Sequence, residues 1–126
     1  MPSWRILDYV SARGENEIKT WVASLPPGAQ AKFDYILFVL RSWQGLWPSQ
    51  YGSHLKGFEG IFELRIGYSG VQYRPLGCFG PGDREFTLLL GAIEKGRKLP
   101  KSVCEMAVER RKIILQDRSR VRDHEF

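Results

Sequence analysis

The alternation of apolar and polar positions is clearest between Ser53 and Arg74, SHLKGFEGIFELRIGYSGVQYR. Phe62, Leu64 and Ile66 alternate with Glu63, Arg65 and Gly67, and Val71 and Tyr73 alternate with Gln72 and Arg74. A period of two sends successive side chains to opposite faces of a strand. Tyr68-Ser69-Gly70, between the two runs, carries turn chemistry, because glycine takes positive φ freely. The pattern predicts a β-hairpin with Phe62, Leu64, Ile66, Val71 and Tyr73 toward a core. Glu63, Arg65 and Arg74 are then expected on an open face. Two arginines on one face suit the binding of phosphate. Polar residues on a solvated strand face are also ordinary, and the pattern alone leaves both readings open.

Elsewhere the same reasoning predicts a strand over Trp4 to Val10 and a helix over Glu15 to Ser24, where Ile18, Trp21, Val22 and Leu25 recur at helical spacing. Pro26-Pro27-Gly28 ends that helix. A second helix is expected from Ala29 to Trp43, with Ala29, Phe33, Ile36, Leu37 and Leu40 as its apolar stripe, so the two helices form an αα-hairpin. Gln44 to Gly52 is read as a loop, Gly80-Pro81-Gly82-Asp83 as a turn, and Glu85 to Ile93 as an apolar strand covered on both faces. Leu88 and Leu90 are expected to join Phe62, Leu64 and Ile66 beneath Trp21, Val22, Phe33 and Leu37. Glu94 to Lys101 is a basic loop, and Ser102 to Gln116 a last helix. The order of strand, two helices, three strands and helix predicts an α+β sandwich with the helical hairpin on one sheet face. Residues 1–116 are taken as one domain and 117–126 as a polar tail, in which Arg120 is expected to tolerate substitution.

Composition adds one bias. The chain has 126 residues, 43% hydrophobic and 13% aromatic, enough for one packed domain. Nineteen basic against fourteen acidic residues leave +5, which points to an anionic partner: nucleic acid, an acidic protein or a membrane surface. Cys78 and Cys104, the only cysteines, are too few for a disulfide framework and are read as idle or buried thiols. His54 and His124 stand at no metal-ligand spacing, and neither a phosphate-binding loop nor a dinucleotide fingerprint is present. Asp83 and Glu85 are read as solvated charges. With no secretion signal and no apolar run long enough for a membrane, a soluble, cytoplasmic protein without metal or cofactor is expected. The cations that remain are Lys56, Arg65, Arg74, Lys95, Arg97, Lys98 and Lys101. Such a cluster could bind an RNA backbone. It could also cleave one without a metal, by stabilising a phosphorane while the 2′-hydroxyl attacks.

The order LKGFEGIFELRIGYSGVQYR, then FTLLLGAIEKGRKLP, then a helix with AVERRK, resembles the RelE/HigB toxin superfamily, closest to its phage-derived, host-killing HigB-like branch. Each short motif is weak alone; their order and spacing together are more specific, and they cover most of Leu55 to Lys112. The resemblance implies a RelE-like fold: an N-terminal strand, an αα-hairpin, a three-stranded antiparallel meander and a C-terminal helix. It implies a toxin of a type II toxin–antitoxin pair, a ribosome-dependent mRNA endoribonuclease silenced by a cognate helix-turn-helix antitoxin. Carried over by motif, Arg65 matches the arginine of Glu-Leu-Arg, Arg74 the arginine of Tyr-Arg that contacts the scissile phosphate in the family, Lys95 and Lys98 its basic loop, and Lys56 the lysine before the hairpin. Arg65, Arg74, Lys95 and Lys98 are therefore the expected catalytic cations, with Lys56, Arg97 and Lys101 binding RNA. His54, Glu63 and Tyr73 are the candidate bases, although alternation points Tyr73 into the core. One departure stands out: many relatives carry a Tyr or His at or just before the last helix, where this chain has Lys101-Ser102-Val103-Cys104. A catalytically inactive RNA- or protein-binding module, or a structural protein with a merely solvated basic face, are the other readings.

Overall fold

The computed structural model describes residues 3–126, which form a mixed α+β fold of three helices and eight strands in two sheets. The first strand, β1 (Arg5–Tyr9), is followed by α1 (Glu17–Ser24) and α2 (Pro27–Arg41). Asn16 caps α1 by accepting a hydrogen bond from the Lys19 N–H, and Pro27 opens α2 at a position whose N–H has no helical partner in any case. The stripe read from sequence is the buried stripe of α2: Ala29, Phe33, Ile36, Leu37 and Leu40.

Then come β2 (Gly52–His54), β3 (Phe62–Leu64), β4 (Ile66–Tyr68), β5 (Val71–Tyr73), β6 (Leu76–Phe79), β7 (Glu85–Leu90), α3 (Lys101–Gln116), a 3-10 turn (Arg118–Arg120) and β8 (Val121–Asp123). The main sheet runs β2-β3-β6-β7-β1-β8, and β4-β5 form a separate two-stranded sheet. Neighbours are antiparallel except β1 and β7, which are parallel.

The strand count expected from sequence is thus too low, for three physical reasons. First, each arm of the central hairpin is divided. Pro75 accepts the Leu64 N–H at 2.9 Å but has no N–H to return, so the ladder breaks there. Secondly, β2 is a short edge strand that begins at the last residue of the expected loop, Gly52. Thirdly, residues 117–126 are not a tail. Val121, Arg122 and Asp123 pair with Tyr9, Asp8 and Leu7, and His124 is buried with its Nδ1 2.7 Å from the Asp8 carboxylate. Arg120 donates to the Val10 carbonyl and the Tyr9 hydroxyl, so it is not a neutral position.

Helices cover both faces of the sheet. One core joins α1 and α2 to Ile6, Phe62, Leu64, Ile66, Tyr73, Phe86 and Leu88, with Trp21 and Val22 packed against it. The other joins α3, through Cys104, Ala107 and Ile114, to Leu76, Cys78, Leu89, Leu90 and Ala92. Val71, expected in the core, lies near the hairpin tip and is 37% exposed. Leu90 is buried, but beneath α3 rather than α1 and α2. The cause is a bulge: Gly77 pairs with Leu88 and Leu76 with Leu90, so Leu89 has no counterpart on β6. An extra residue reverses the facing of everything after it.

Glu85 is not a solvated charge either. Its buried carboxylate meets Arg118 at 2.5 Å and Arg5 at 3.4 Å and accepts from the Gly82 N–H. The Arg118 hydrogen bond is the main reason its carboxyl sits below the usual value, against an opposing contribution from burial. A lowered folded-state value means that the unfolded chain binds more protons. The contribution to stability is therefore present above the unfolded carboxyl value, near 4.3, and is lost as pH falls through the lower folded value.

Two outcomes are expected. Leu64→Ala should lower unfolding free energy by about 2–5 kcal/mol in urea titrations, whereas Val71→Ala should stay within about 0.5 kcal/mol; the reverse ranking would refute the hairpin register. Glu85→Gln should flatten the acid limb of a plot of urea midpoint against pH, and an unchanged limb would show that this carboxylate contributes no acid sensitivity.

Candidate functional site

Arg65 and Arg74 sit at the break between the two sheets. Glu63 lies opposite Leu76 on one side of the break and Ile66 opposite Tyr73 on the other, a single register that sets Arg65 opposite Arg74. Their N–H groups point outward, Arg65 to the Tyr51 carbonyl and Arg74 to that of Ala92, both at 2.8 Å. Outward-pointing N–H groups mark a non-hydrogen-bonded pair, in which opposing side chains leave the same face close together. That face is the one α3 covers, so it is not open as expected from sequence: Arg65 is half-buried and only 11% of the Arg74 side chain is exposed.

Like charges placed opposite one another repel, and each arginine here has a carboxylate. Arg74 meets Glu94 at 3.1 Å and Arg65 meets Glu63 at 3.4 Å. Arg65 also donates to the Ser49 carbonyl and the Ser53 hydroxyl, both at 2.7 Å, which fixes its guanidinium. Glu94 reaches Arg74 because of the bulge at Leu89. Past it, Arg74 bonds to Ala92 and the Glu94 N–H donates to the Gln72 carbonyl, so the strand runs on beside β5 with Leu90, Ala92 and Glu94 on one face.

The basic loop follows directly. Lys95 and Lys98 exchange N–H···O bonds of 2.8 and 3.0 Å around Gly96 and Arg97, whose φ values are +57° and +66°. That is a two-residue type I′ turn, holding two lysines side by side with Arg97 at its tip. Lys95, Arg97, Lys98 and Lys101 are exposed, and no carboxylate pairs with them among the described residues. The turn leads into α3, which starts at Pro100 without a side-chain cap and without an acid in its first turn, so its N-terminal dipole is left for another anion.

The structure therefore brings Arg65 and Arg74 together, with Lys95, Arg97 and Lys98 on the turn that follows Glu94 and Lys101 at the start of the next helix. It does not bring the remaining candidates to the arginines. His54 lies opposite Phe62, its ring 5.2 Å from the Phe62 ring and 6.2 Å from Phe79, on the α1–α2 side of the sheet. Lys56 is in the exposed loop between β2 and β3. Tyr73 is buried against Trp21. Of the candidate bases, Glu63 alone shares the arginine face. Sequence reasoning missed Glu94: its acid among bases was visible in EKGRKLP, but its facing depends on the bulge.

Both thiols are buried and free. Burial pushes Cys78 up to about 12, and burial followed by the nearby Glu63 carboxylate raises Cys104. Native protein at pH 8 should therefore resist iodoacetamide at both positions until denaturant is added; rapid native labelling of Cys104 would show that the start of α3 opens. Arg97 holds a left-handed conformation that glycine adopts without strain. Arg97→Gly is expected to raise or preserve the melting temperature in a thermal melt; a clear loss of stability would make the Arg97 side chain a structural element of the turn.

Among the described residues no helix is long and apolar enough to cross a membrane, and no group of acidic, His or Cys side chains could hold a metal ion. No curated protein matches the chain. A family model does: residues 20–112 match that of "Phage derived protein Gp49-like (DUF891)". The matched span runs from α1 through most of α3 and takes in the paired arginines and the lysine turn. The chain belongs to this Gp49-like, phage-derived family.

Proposed function

We propose that this protein is a toxin of the type II toxin–antitoxin kind, a metal-independent endoribonuclease that cleaves mRNA on the ribosome and is held silent by a helix-turn-helix antitoxin. One observation carries the reading. Arg65 and Arg74 stand opposite each other on one face, each beside a carboxylate, and Glu94, the partner of Arg74, directly precedes the lysine-bearing turn. The phage-derived family and the resemblance in the hairpin and basic loop agree with it.

The chemistry follows from the pairs. An RNA phosphate competes with Glu94 for Arg74, whose planar fork holds two phosphate oxygens. Glu94, released 3.1 Å from that guanidinium, or Glu63 beside Arg65, takes the proton of the 2′-hydroxyl. The 2′-oxygen attacks phosphorus and the 5′-oxygen leaves with a proton from Lys95, Lys98 or water. The products are a 2′,3′-cyclic phosphate and a 5′-hydroxyl. The arginines act on the phosphorane, where charge is greatest, and Lys95, Arg97, Lys98 and Lys101 hold the flanking backbone.

A second reading has its own support: His54 lies on the opposite sheet side, and neither histidine nor tyrosine stands with the arginines. On that reading the face binds RNA without cutting it.

Induced expression with growth scoring and mapping of mRNA 5′ ends tests both. Arg74→Ala should fold and lose growth arrest, with cleavage down about 10²- to 10³-fold. Arg74→Lys should restore little, because a point charge lacks the fork. Arg13→Ala, in the exposed β1–α1 connection, should match the parent. Parental cleavage by folded Arg74→Ala would overturn the catalytic assignment. RNA binding by the parent chain without new mRNA ends would establish the non-cleaving reading.

A further inference from the structure

At the opposite end of the sheet from the lysine turn, a cavity of about 500 Å³ opens between the starts of β1 and β7, the end of α2 and the residues after β8. Its wall includes Trp4, Arg41, Arg84, His124 and Phe126. Four buried side-chain nitrogens lack a hydrogen-bond partner among the described residues, and three belong to this wall: Trp4 Nε1, Arg41 Nε and His124 Nε2. Unpaired buried polar atoms are uncommon, and two of these three, Trp4 Nε1 and Arg41 Nε, are donors that lack an acceptor, while His124, whose Nδ1 donates to Asp8, keeps Nε2 free to accept.

The charges agree. Arg5 is engaged by Asp123 at 2.6 Å and by Glu85, and Glu85 also by Arg118. Arg41 and Arg84 have neither a carboxylate nor a hydrogen bond to their guanidinium groups among the described residues. Each lies on an aromatic ring instead: Arg41 4.5 Å from the Phe126 centroid and Arg84 5.6 Å from that of Trp4. Against these two free cations the wall offers one unengaged carboxylate, Asp83, which is exposed. Two fork-shaped cations suit a phosphate, two aromatic rings suit a planar base, and the volume lies within the range of small-molecule sites.

We propose that this cavity binds a nucleotide unit, its phosphate between Arg41 and Arg84 and its base against Trp4 and Phe126. The site is separate from the paired arginines and does not depend on the toxin reading. The unit comes either as a free nucleotide or as part of an RNA strand.

Titration of the full chain, by calorimetry and by tryptophan fluorescence, decides this. The probes are adenosine 5′-monophosphate, adenosine, inorganic phosphate and a pentameric oligoadenylate. The monophosphate should bind saturably and at least tenfold more tightly than adenosine or phosphate, and should quench tryptophan emission. Arg84→Gly keeps a conformation that position already takes, φ +57°, and should weaken binding at least tenfold, as should Arg41→Met. Arg74→Ala should leave monophosphate affinity unchanged, which separates this site from the proposed RNA-cleaving one. Oligoadenylate binding more tightly than the monophosphate, and equally lost in Arg84→Gly, would identify an RNA strand as the source; equal affinities would identify a free nucleotide. No saturable binding of any probe, or full affinity in folded Arg84→Gly, would overturn the proposal.

Discussion

One residue without a counterpart decides which side chains meet at the candidate site. β7 carries Leu89 where β6 offers nothing opposite, and from there on its alternation is reversed. Leu88 packs under α1 and α2, while Leu89, Leu90 and Ala92 all pack under α3. Two cores, one on each side of the sheet, require apolar side chains on both faces of its central strands, and a bulge supplies two in succession to the α3 side. The same reversal brings Glu94 to Arg74. Without it Glu94 would point toward α1 and α2, and the two arginines would share a face with Glu63 as their only carboxylate.

A second constraint acts at the same place. Pro75 cannot return the hydrogen bond that Leu64 gives it, so β3 and β6 part there. Parting leaves Arg65 bonded toward Tyr51 and Arg74 toward Ala92, and the hairpin tip becomes a sheet of its own. Gly28 of α2 lets that tip come close: a β-carbon there would lie 2.2 Å from the Tyr68 hydroxyl. The hairpin is thus held at its root by the main sheet, at its tip by α2, and in between by two arginine–glutamate pairs.

What the sequence made legible follows from how regular each signal is. The α2 stripe was readable to the residue because five apolar side chains at helical spacing have one way to be buried. Phe62, Leu64, Ile66 and Tyr73 were readable from alternation, and that alternation also placed Arg65 and Arg74 on a shared face. The bulge was not readable, since Leu88-Leu89-Leu90 is apolar throughout and leaves no alternation to violate. β8 was hidden because it is a short edge strand with a single apolar side chain, Val121, too few to show an alternation, and backbone pairing leaves no trace in side-chain pattern. Its anchor, His124 against Asp8, joins residues 116 positions apart. Glu85 reads as a turn charge until Arg5 and Arg118 converge on it from other strands and turns.

The cations divide by their surroundings rather than by their number. Arg65 is fixed by the Ser49 carbonyl and Ser53 hydroxyl as well as Glu63, so an arriving phosphate has little of its fork to win. Arg74 has one weak bond to its own neighbouring carbonyl, at 3.3 Å, and one carboxylate. Exchange of Glu94 for phosphate preserves the charge balance around a mostly buried guanidinium, whereas removal of either partner leaves it unneutralised. Lys95 and Lys98 are solvated and screened by salt, which suits them to attracting a polyanion rather than to discriminating between ground and transition states. On the proposed reading Arg74 is therefore the cation best placed to gain on a phosphate as its charge grows, and that gain is the quantity catalysis depends on.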